Sequence, residues 1–455
     1  MERNLTAVQT SAGEGTRMWP INLYSPNSMI PKGLVEIMGV SIAGSQKNKF
    51  EKDGITDLYM ISNGYQNRQP LMSRFRSGSS SFRIHHSDSK YDQTNNGSGE
   101  AILTNIKHFN LDGDSIWLSN DNLFEYNHRN IIKNHRDSGA TVSVMGLHMK
   151  ASNVVKNYGL LKVDATRGIE RLVEKPGTLD ELFDALELTD CDEEYSVYAN
   201  TGGYILNNDI LSDVLKEPWA EKMMKKESGL FDMAGNLIPE LIKRGHKVQM
   251  VPIEEWGDLG TTGYFLDTFV EALKGTFSSL SSFLTEENGY FTLSHSNNVW
   301  VHETSLSKKI GGKDLTQRID AGDVFIGPNT FIGPDVGIDD GCQIAYSDLE
   351  GYSTVGKETT VNKSYIGIGT HIGDFAKIRS SAFTGGNLVY SSKNNDTRVH
   401  NRSVVGCDIL IPEGTILDKV KVMPGYEFSS AGVFSHQTFF PTKKYLIGLG
   451  LKHRK

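Results

Sequence analysis

Cysteine is scarce in this chain: only Cys191, Cys342 and Cys407 occur in 455 residues. Their spacing forms no metal-ligand pattern, and so few thiols point to a reducing compartment rather than a disulfide scaffold. No apolar run approaches the ~18 residues of a spanning helix, so no membrane segment is expected. An excess of positive charge is also missing. Lys and Arg number 47 against 55 Asp and Glu, a net charge of −8 with a pI near 5.9. That removes the global basic footprint of a nucleic-acid binder and fits ordinary solubility. A polyanionic ligand would have to meet a local positive pocket. The opening MERNLTAV enters a strand-like run without a signal-peptide pattern, so the expected location is cytoplasmic. Two common phosphate loops are missing as well. No Gly-Lys-Ser/Thr ends a P-loop, and the third glycine of a dinucleotide fingerprint is replaced by Met18.

What is present begins at residues 5–32. A strand-like Leu5 to Thr10 feeds a tight loop, Ser11-Ala12-Gly13-Glu14-Gly15-Thr16-Arg17. Two glycines let the backbone turn sharply and come close to a ligand. Free amides in such a loop make a concave anion site, and Arg17 adds a forked, permanent charge. Lys32, after Pro31, adds a point charge. Loop, Arg and Lys together describe a triphosphate cradle.

The length suggests two to three domains, and 38% hydrophobic with 22% charged residues fits a protein with a sizeable core. Strands and helices alternate through residue 147: a helix over 40–53, a buried strand Asp57 to Ser62, a helix over 64–77, a helix from Gly99, a strand Asp114 to Leu118, a helix Asn127 to Ser138. This predicts an α/β fold with a mostly parallel, Rossmann-like sheet, whose ligands lie past the carboxyl ends of the strands. Shorter strands dominate residues 152–206, and Thr261 to Leu273 reads as a closing helix. Further on, Ile326, Ile332, Ile338 and Ile344 recur every six residues, as do Val355 and Val361, then Ile366, Ile372 and Ile378, then Val399, Val405, Ile411 and Leu417. A hexapeptide period marks a parallel β-helix with one aliphatic per face stacked inward. Residues 379–398, rich in Ser and Asn, interrupt it.

Gly-x-Gly-Thr-Arg with Pro-Lys downstream resembles the signature of sugar-1-phosphate nucleotidyltransferases, and the hexapeptide segment resembles left-handed β-helix domains. The resemblance implies a nucleotidyltransferase domain at 1–275, a connector at 276–318, a left-handed β-helix at 319–428 and a tail at 429–455. It implies Mg²⁺-dependent transfer of a nucleoside monophosphate from a nucleoside triphosphate to a sugar-1-phosphate, of the glucose or mannose type, with release of pyrophosphate. By the same resemblance Ala12, Gly13, Glu14, Gly15 and Thr16 cradle the nucleotide with Arg17 and Lys32. Residues 93–101, QTNNGSGEA, match the segment that reads the base through Gln93 and Gly97. Tyr158-Gly159, Val173-Glu174-Lys175-Pro176 and Asn200-Thr201-Gly202 match the sugar pocket. There Gly159 leaves room for the ring, Glu174 and Asn200 hold hydroxyls, and Lys175 holds the sugar phosphate. Asp121 and Asp258, the latter in Trp256-Gly257-Asp258-Leu259-Gly260, match the metal carboxylates. The chain is expected to self-associate through the β-helix, with no nucleic-acid or membrane partner.

Asn120 stands where the family has glycine, and Gln9 and Thr10 interrupt an apolar first strand. These departures favour a second reading, a non-catalytic regulatory subunit that binds sugar nucleotide. A third, a bifunctional acyltransferase, rests on His302, His371 and His400, for which a solvated surface role is expected. Base, sugar and oligomeric state stay open.

Overall fold

The computed structural model describes residues 3–26, 28–76, 78–79, 81–91, 97–189, 192, 194–225, 230–293 and 296–441. By its contacts the chain divides into two units, residues 1–13 with 46–256, and residues 14–45 with 257–455. The cut falls inside the glycine loop.

The first unit is built on a nine-stranded sheet. Its strands are β1 (Leu5–Ser11), β2 (Asp57–Ser62), β3 (Arg83–His86), β4 (Asp114–Ser119), β5 (Val142–Lys150), β6 (Gly159–Val163), β7 (Ile169–Glu174), β8 (Ser196–Asn207) and β9 (Val248–Pro252). Their order is β7-β6-β8-β4-β1-β2-β3, with β5 between β8 and β9. The run β4-β1-β2-β3 is parallel, as the helix-strand alternation predicts. β8 turns the direction, running antiparallel to β4, β5 and β6. Helices α1 (Ile42–Lys52), α2 (Tyr65–Arg74), α3 (Ser98–Phe109) and α4 (His128–Ser138) make the connections. The Asn127 side chain caps α4 on the Asn130 amide at 3.1 Å, and Gly139 ends it at φ 65°. The apolar faces of β1, β4, β5 and α3 close one core around Trp117 and Ile102.

In the second unit the hexapeptide period becomes a coil of three ladders of nine, seven and five strands, parallel throughout except for the first pair of the nine. Every in-phase aliphatic named above is buried in one continuous core. The ladders hold through Ala382–Phe383 and Leu388–Val389, so the expected interruption shrinks to the loop 390–397. The nine-stranded ladder begins earlier than the sequence period, with the hairpin Tyr290–Thr292 and Val299–His302.

The outward residues of that ladder are covered from Phe331 to Val404. Phe331, Asp348, Tyr365, Ala382 and Val404 are all buried. Helix α5 (Thr262–Leu273) lays Phe265 and Phe269 edge-on to Tyr365, and Arg402 forks onto Asp267 at 2.8 and 2.9 Å. The segment 14–45 covers the rest: Cys407 Sγ donates to the Leu23 carbonyl at 3.3 Å, and Met38 and Gly39 lie on Asp348 and Glu350. The outward residues Phe325, Gln343, Lys377 and Arg398 of the second ladder, and His371, Leu388 and Leu410 of the third, stay exposed. Cys342 and Cys407 are free and buried; Cys191 lies outside the described residues. No helix among the described residues is long and apolar enough to cross a membrane.

Candidate functional site

In the first unit a cavity of about 320 Å³ opens past the carboxyl ends of β1, β2 and β4. Register brings those ends level: Ser11 pairs with Ser62, and Thr10 with Ser119. Small hydroxyl side chains at three strand ends leave the space that apolar residues would fill. The loop leaves β1 with its carbonyls satisfied. Thr10 accepts from the Asn120 amide at 3.0 Å and Ser11 from the Asn63 amide at 2.9 Å. The Gly13 carbonyl accepts from Asn67 Nδ2 at 3.3 Å. Ala12 lies in the cavity wall, so the start of the expected cradle does face the space. Asn120 and Gln9 are buried, and the wall beside Asn120 is formed by Leu118 and Ser119. Thr10, the third residue that favoured a regulatory subunit, lines the cavity.

The opposite wall is the first turn of α3. Gly97 precedes it at φ 110°, and a methyl group there would stand 2.5 Å from the Phe231 carbonyl oxygen. The close approach that makes glycine necessary is thus to the protein's own backbone, while Gly97 still lines the cavity. Glu100, not singled out by the sequence, is the one charged residue among the described lining residues. It accepts from Thr104 Oγ1 at 2.9 Å, and burial pushes its carboxyl above the ordinary range. Gln93 lies outside the described residues.

Three expected sugar residues come together across β6, β7 and β8. Gly159 pairs with Glu174, and a methyl group on Gly159 would meet Glu174 Oε2 at 2.6 Å and Asn200 Nδ2 at 3.7 Å. Asn200 donates to Tyr204 Oη at 3.2 Å and accepts from the Gly202 amide at 3.0 Å. Tyr204 and Gly202 both line the cavity, so the trio adjoins it. Burial raises the Tyr204 hydroxyl to about 12, which keeps it a neutral donor and acceptor. Lys175 follows at φ 48°, its amide on the Tyr158 carbonyl and its ammonium 3.3 Å from Glu174.

In the second unit the loop continues as a single 3-10 turn, Thr16–Met18, entered from Gly15 at φ 64°. A methyl group on Gly15 would stand 2.8 Å from Asn22 Nδ2 and 2.9 Å from Lys32 Cε, so loop and Lys32 stem pack together only because Gly15 has no side chain. Asn22, which the sequence did not mark, bridges the two: its Nδ2 reaches the Glu14 and Ile30 carbonyls at 3.3 and 3.4 Å. Thr16 opens the turn and Arg17 follows. Arg17 and Asp258 both border Gly260, whose added methyl would lie 3.9 Å from Arg17 Nη2 and 3.0 Å from Asp258 Oδ1.

Asp121 sits in the turn after β4, where Ser119 Oγ donates to its Oδ1 and Asn122 Nδ2 does so at 3.1 Å. Asp258 accepts from the Gly260 amide at 2.7 Å, while Thr261 caps α5 on the Tyr264 amide at 3.1 Å. Neither aspartate is a helix cap. Both are oriented hard oxygen donors, the chemistry that suits Mg²⁺. Among the described residues no group of three or more His, Cys, Asp or Glu could hold a metal ion. The coil histidines have local partners: His302 with Thr304, His371 with Thr354, His400 with Asp418.

Residues 7–275 match the family described as nucleotidyl transferase, and residues 314–437 match that described as GMPPB C-terminal domain. A glucose-1-phosphate adenylyltransferase of Corynebacterium kroppenstedtii is 26% identical over 194 residues, 39% of this chain and 43% of that protein. A glucose-1-phosphate adenylyltransferase of Koribacter versatilis is 23% identical over 61% of this chain and 65% of its own length. A UTP–glucose-1-phosphate uridylyltransferase of Synechocystis is 24% identical over 77% of this chain and 84% of its own length.

Proposed function

Because the chain belongs to the nucleotidyl transferase family, we propose that it transfers a nucleoside monophosphate from a nucleoside triphosphate to a sugar-1-phosphate of the glucose or mannose type. A phosphate oxygen of the sugar-1-phosphate attacks the α-phosphorus, the bond to the β-phosphate oxygen breaks, and pyrophosphate leaves. The observation that carries the reading is the meeting of Gly159, Glu174 and Asn200 beside a cavity at the carboxyl ends of parallel strands.

In this reading Glu174 and Asn200 bind sugar hydroxyls, and Lys175 holds the sugar phosphate for in-line attack. Arg17 and Lys32 neutralise the triphosphate and the charge that grows on pyrophosphate. Ala12 and the amides of Gly13 to Thr16 follow the phosphates, and the α3 turn with Glu100 meets the base. Asp121 and Asp258 are the carboxylates for Mg²⁺, which when bound polarises phosphoryl oxygens. The exposed ladders of the coil are the surfaces for self-association, measurable by light scattering on the eluting protein.

The test is pyrophosphate release across a panel of nucleoside triphosphates and sugar-1-phosphates with Mg²⁺. Release with at least one pair is expected. Nucleotide binding without release from any pair would end the enzyme reading in favour of a regulatory subunit.

A further inference from the structure

The covered ladder of the coil holds acids where its neighbours are apolar. Asp348 is fully buried, and Glu350, two residues on, nearly so. Asp348 Oδ2 accepts from the Met38 amide at 2.8 Å, and Glu350 Oε1 accepts from the Gly39 amide at 3.0 Å. Met38 and Gly39, at φ 53° and 71°, form the tight turn between the paired strands Glu36–Ile37 and Val40–Ser41. Two carboxyls thus grip consecutive amides of one turn. That turn closes the segment carrying Arg17 and Lys32.

The other Asp348 oxygen, Oδ1, is buried with no ordinary donor. The Glu350 side chain is the group that reaches Asp348. One proton between the two acids supplies the missing donor: Glu350 donates it to Asp348 while its carbonyl oxygen still accepts from Gly39. Among the described residues, titratable groups facing the pair include Glu36 from the arm, Tyr290 from the first hairpin and Tyr365 from the next turn, with Cys407 beyond Tyr365. None of these is basic. Burial raises both carboxyls above their ordinary range, and the neighbouring acids raise Glu350 further. Glu350 also borders an open cavity of about 440 Å³ with Tyr24, Leu34 and Asp408, a route for proton exchange.

We propose that Asp348 and Glu350 are positioning residues, a one-proton clasp on the Met38–Gly39 turn that sets the arm bearing Arg17 and Lys32 and opens when the shared proton leaves. Its link to turnover rests on the proposed transferase reading; the grip itself does not.

Hydrogen exchange at the Met38 and Gly39 amides, corrected for intrinsic rates, tests it on the full chain. Wild-type protection should fall at least about tenfold as pH rises from 6 to 9. Glu350→Gln keeps a carbonyl for Gly39 and an amide N–H for Asp348, so its protection should stay level across that range. Glu350→Ala should lose protection at both ends. In the turnover assay Glu350→Ala should raise the apparent KM for triphosphate about tenfold and that for sugar-1-phosphate less than about twofold, and Glu350→Gln should restore it. Unchanged protection in Glu350→Ala, or the same pH profile in wild type and Glu350→Gln, overturns the clasp. If Glu350→Ala does not fold, the wild-type and Glu350→Gln profiles decide alone. If no pair of substrates turns over, the transferase reading fails while the exchange result still stands or falls by itself.

Discussion

The cavity of the first unit and the covered ladder of the second treat polar groups in opposite ways. Around the cavity, backbone carbonyls of Thr10, Ser11 and Gly13 are satisfied by Asn120, Asn63 and Asn67, and the strand ends carry small hydroxyls. The space is made by what the residues omit. On the covered ladder, Asp348 and Glu350 occupy space and hold a distant turn by side chain. One region is set by satisfied carbonyls and small side chains at strand ends, the other by packing between segments more than three hundred positions apart. Substitutions should therefore injure the first through geometry and the second through stability.

The largest effect is expected in the core under the covered ladder. Ile332 is fully buried among aliphatics from successive coil turns. Ile332→Asp forces a buried carboxyl to neutralise and stay unpaired, at a cost of order that of an unpaired polar group, roughly 2–7 kcal/mol. Thermal unfolding of the second unit should fall sharply. An unchanged melt would contradict the stability half of the contrast.

Asp258→Asn should come next, with a different signature. Asp258 is not the cap of α5, so its loss leaves the helix start intact. Under the proposed function, turnover with Mg²⁺ should fall by about a hundredfold or more, mostly in kcat, because a bound ion would act on charge that develops in the transition state. Circular dichroism and melting should stay near wild type. A large melting loss would show that Asp258 is structural and blur the contrast.

The two regions also differed in how far the sequence disclosed them. Strand Asp57–Ser62 and helix Asn127 to Ser138 were readable to within a residue, because hydrophobic pattern and caps are local. Every aliphatic that the hexapeptide period named is inward, since each coil turn repeats the same steric demand, but the period did not disclose Leu349, Phe383 and Val389, which are inward as well. The meeting of Gly159, Glu174 and Asn200 needed the motif order rather than any local signal. The arm 14–45 was not legible as a layer on the coil, because nothing within it repeats or alternates. Its trace lay elsewhere, in two acids spaced two apart beside Leu349, a position where the coil had no surface reason to hold them. Asn22 and Glu100 were missed for the same reason: each acts through contacts that no sequence period encodes.

Lys175→Ala should have a smaller effect, confined to the cavity side. Lys175 is half exposed, so its ion pair with Glu174 adds little to stability. Alanine keeps the same backbone demand at φ 48° apart from the side chain. The apparent KM for sugar-1-phosphate should rise about tenfold, with that for nucleotide nearly unchanged. Equal effects on both substrates would remove Lys175 from the sugar phosphate.

The smallest effect separates the two kinds of buried acid. Glu100 lines the cavity of the first unit and has Thr104 as partner, whereas Glu350 grips the Gly39 amide and shares a proton with Asp348. Burial raises the Glu100 carboxyl, so the folded protein binds its proton more tightly than the unfolded chain does. Its contribution to stability is therefore full below the unfolded value of about 4.3 and is lost as pH rises through the raised folded value. Binding runs the other way. As an acceptor for a base N–H, Glu100 works best ionised, so the KM for nucleotide should fall two- to threefold over the same rise, a change of about half a kcal/mol. Glu100→Gln should flatten that dependence, and the sugar-1-phosphate KM should not follow it. If the nucleotide KM of Glu100→Gln kept the wild-type pH profile, Glu100 would be a wall residue without contact to the base. The cavity would then be read by backbone alone, a sharper form of the contrast with the covered ladder.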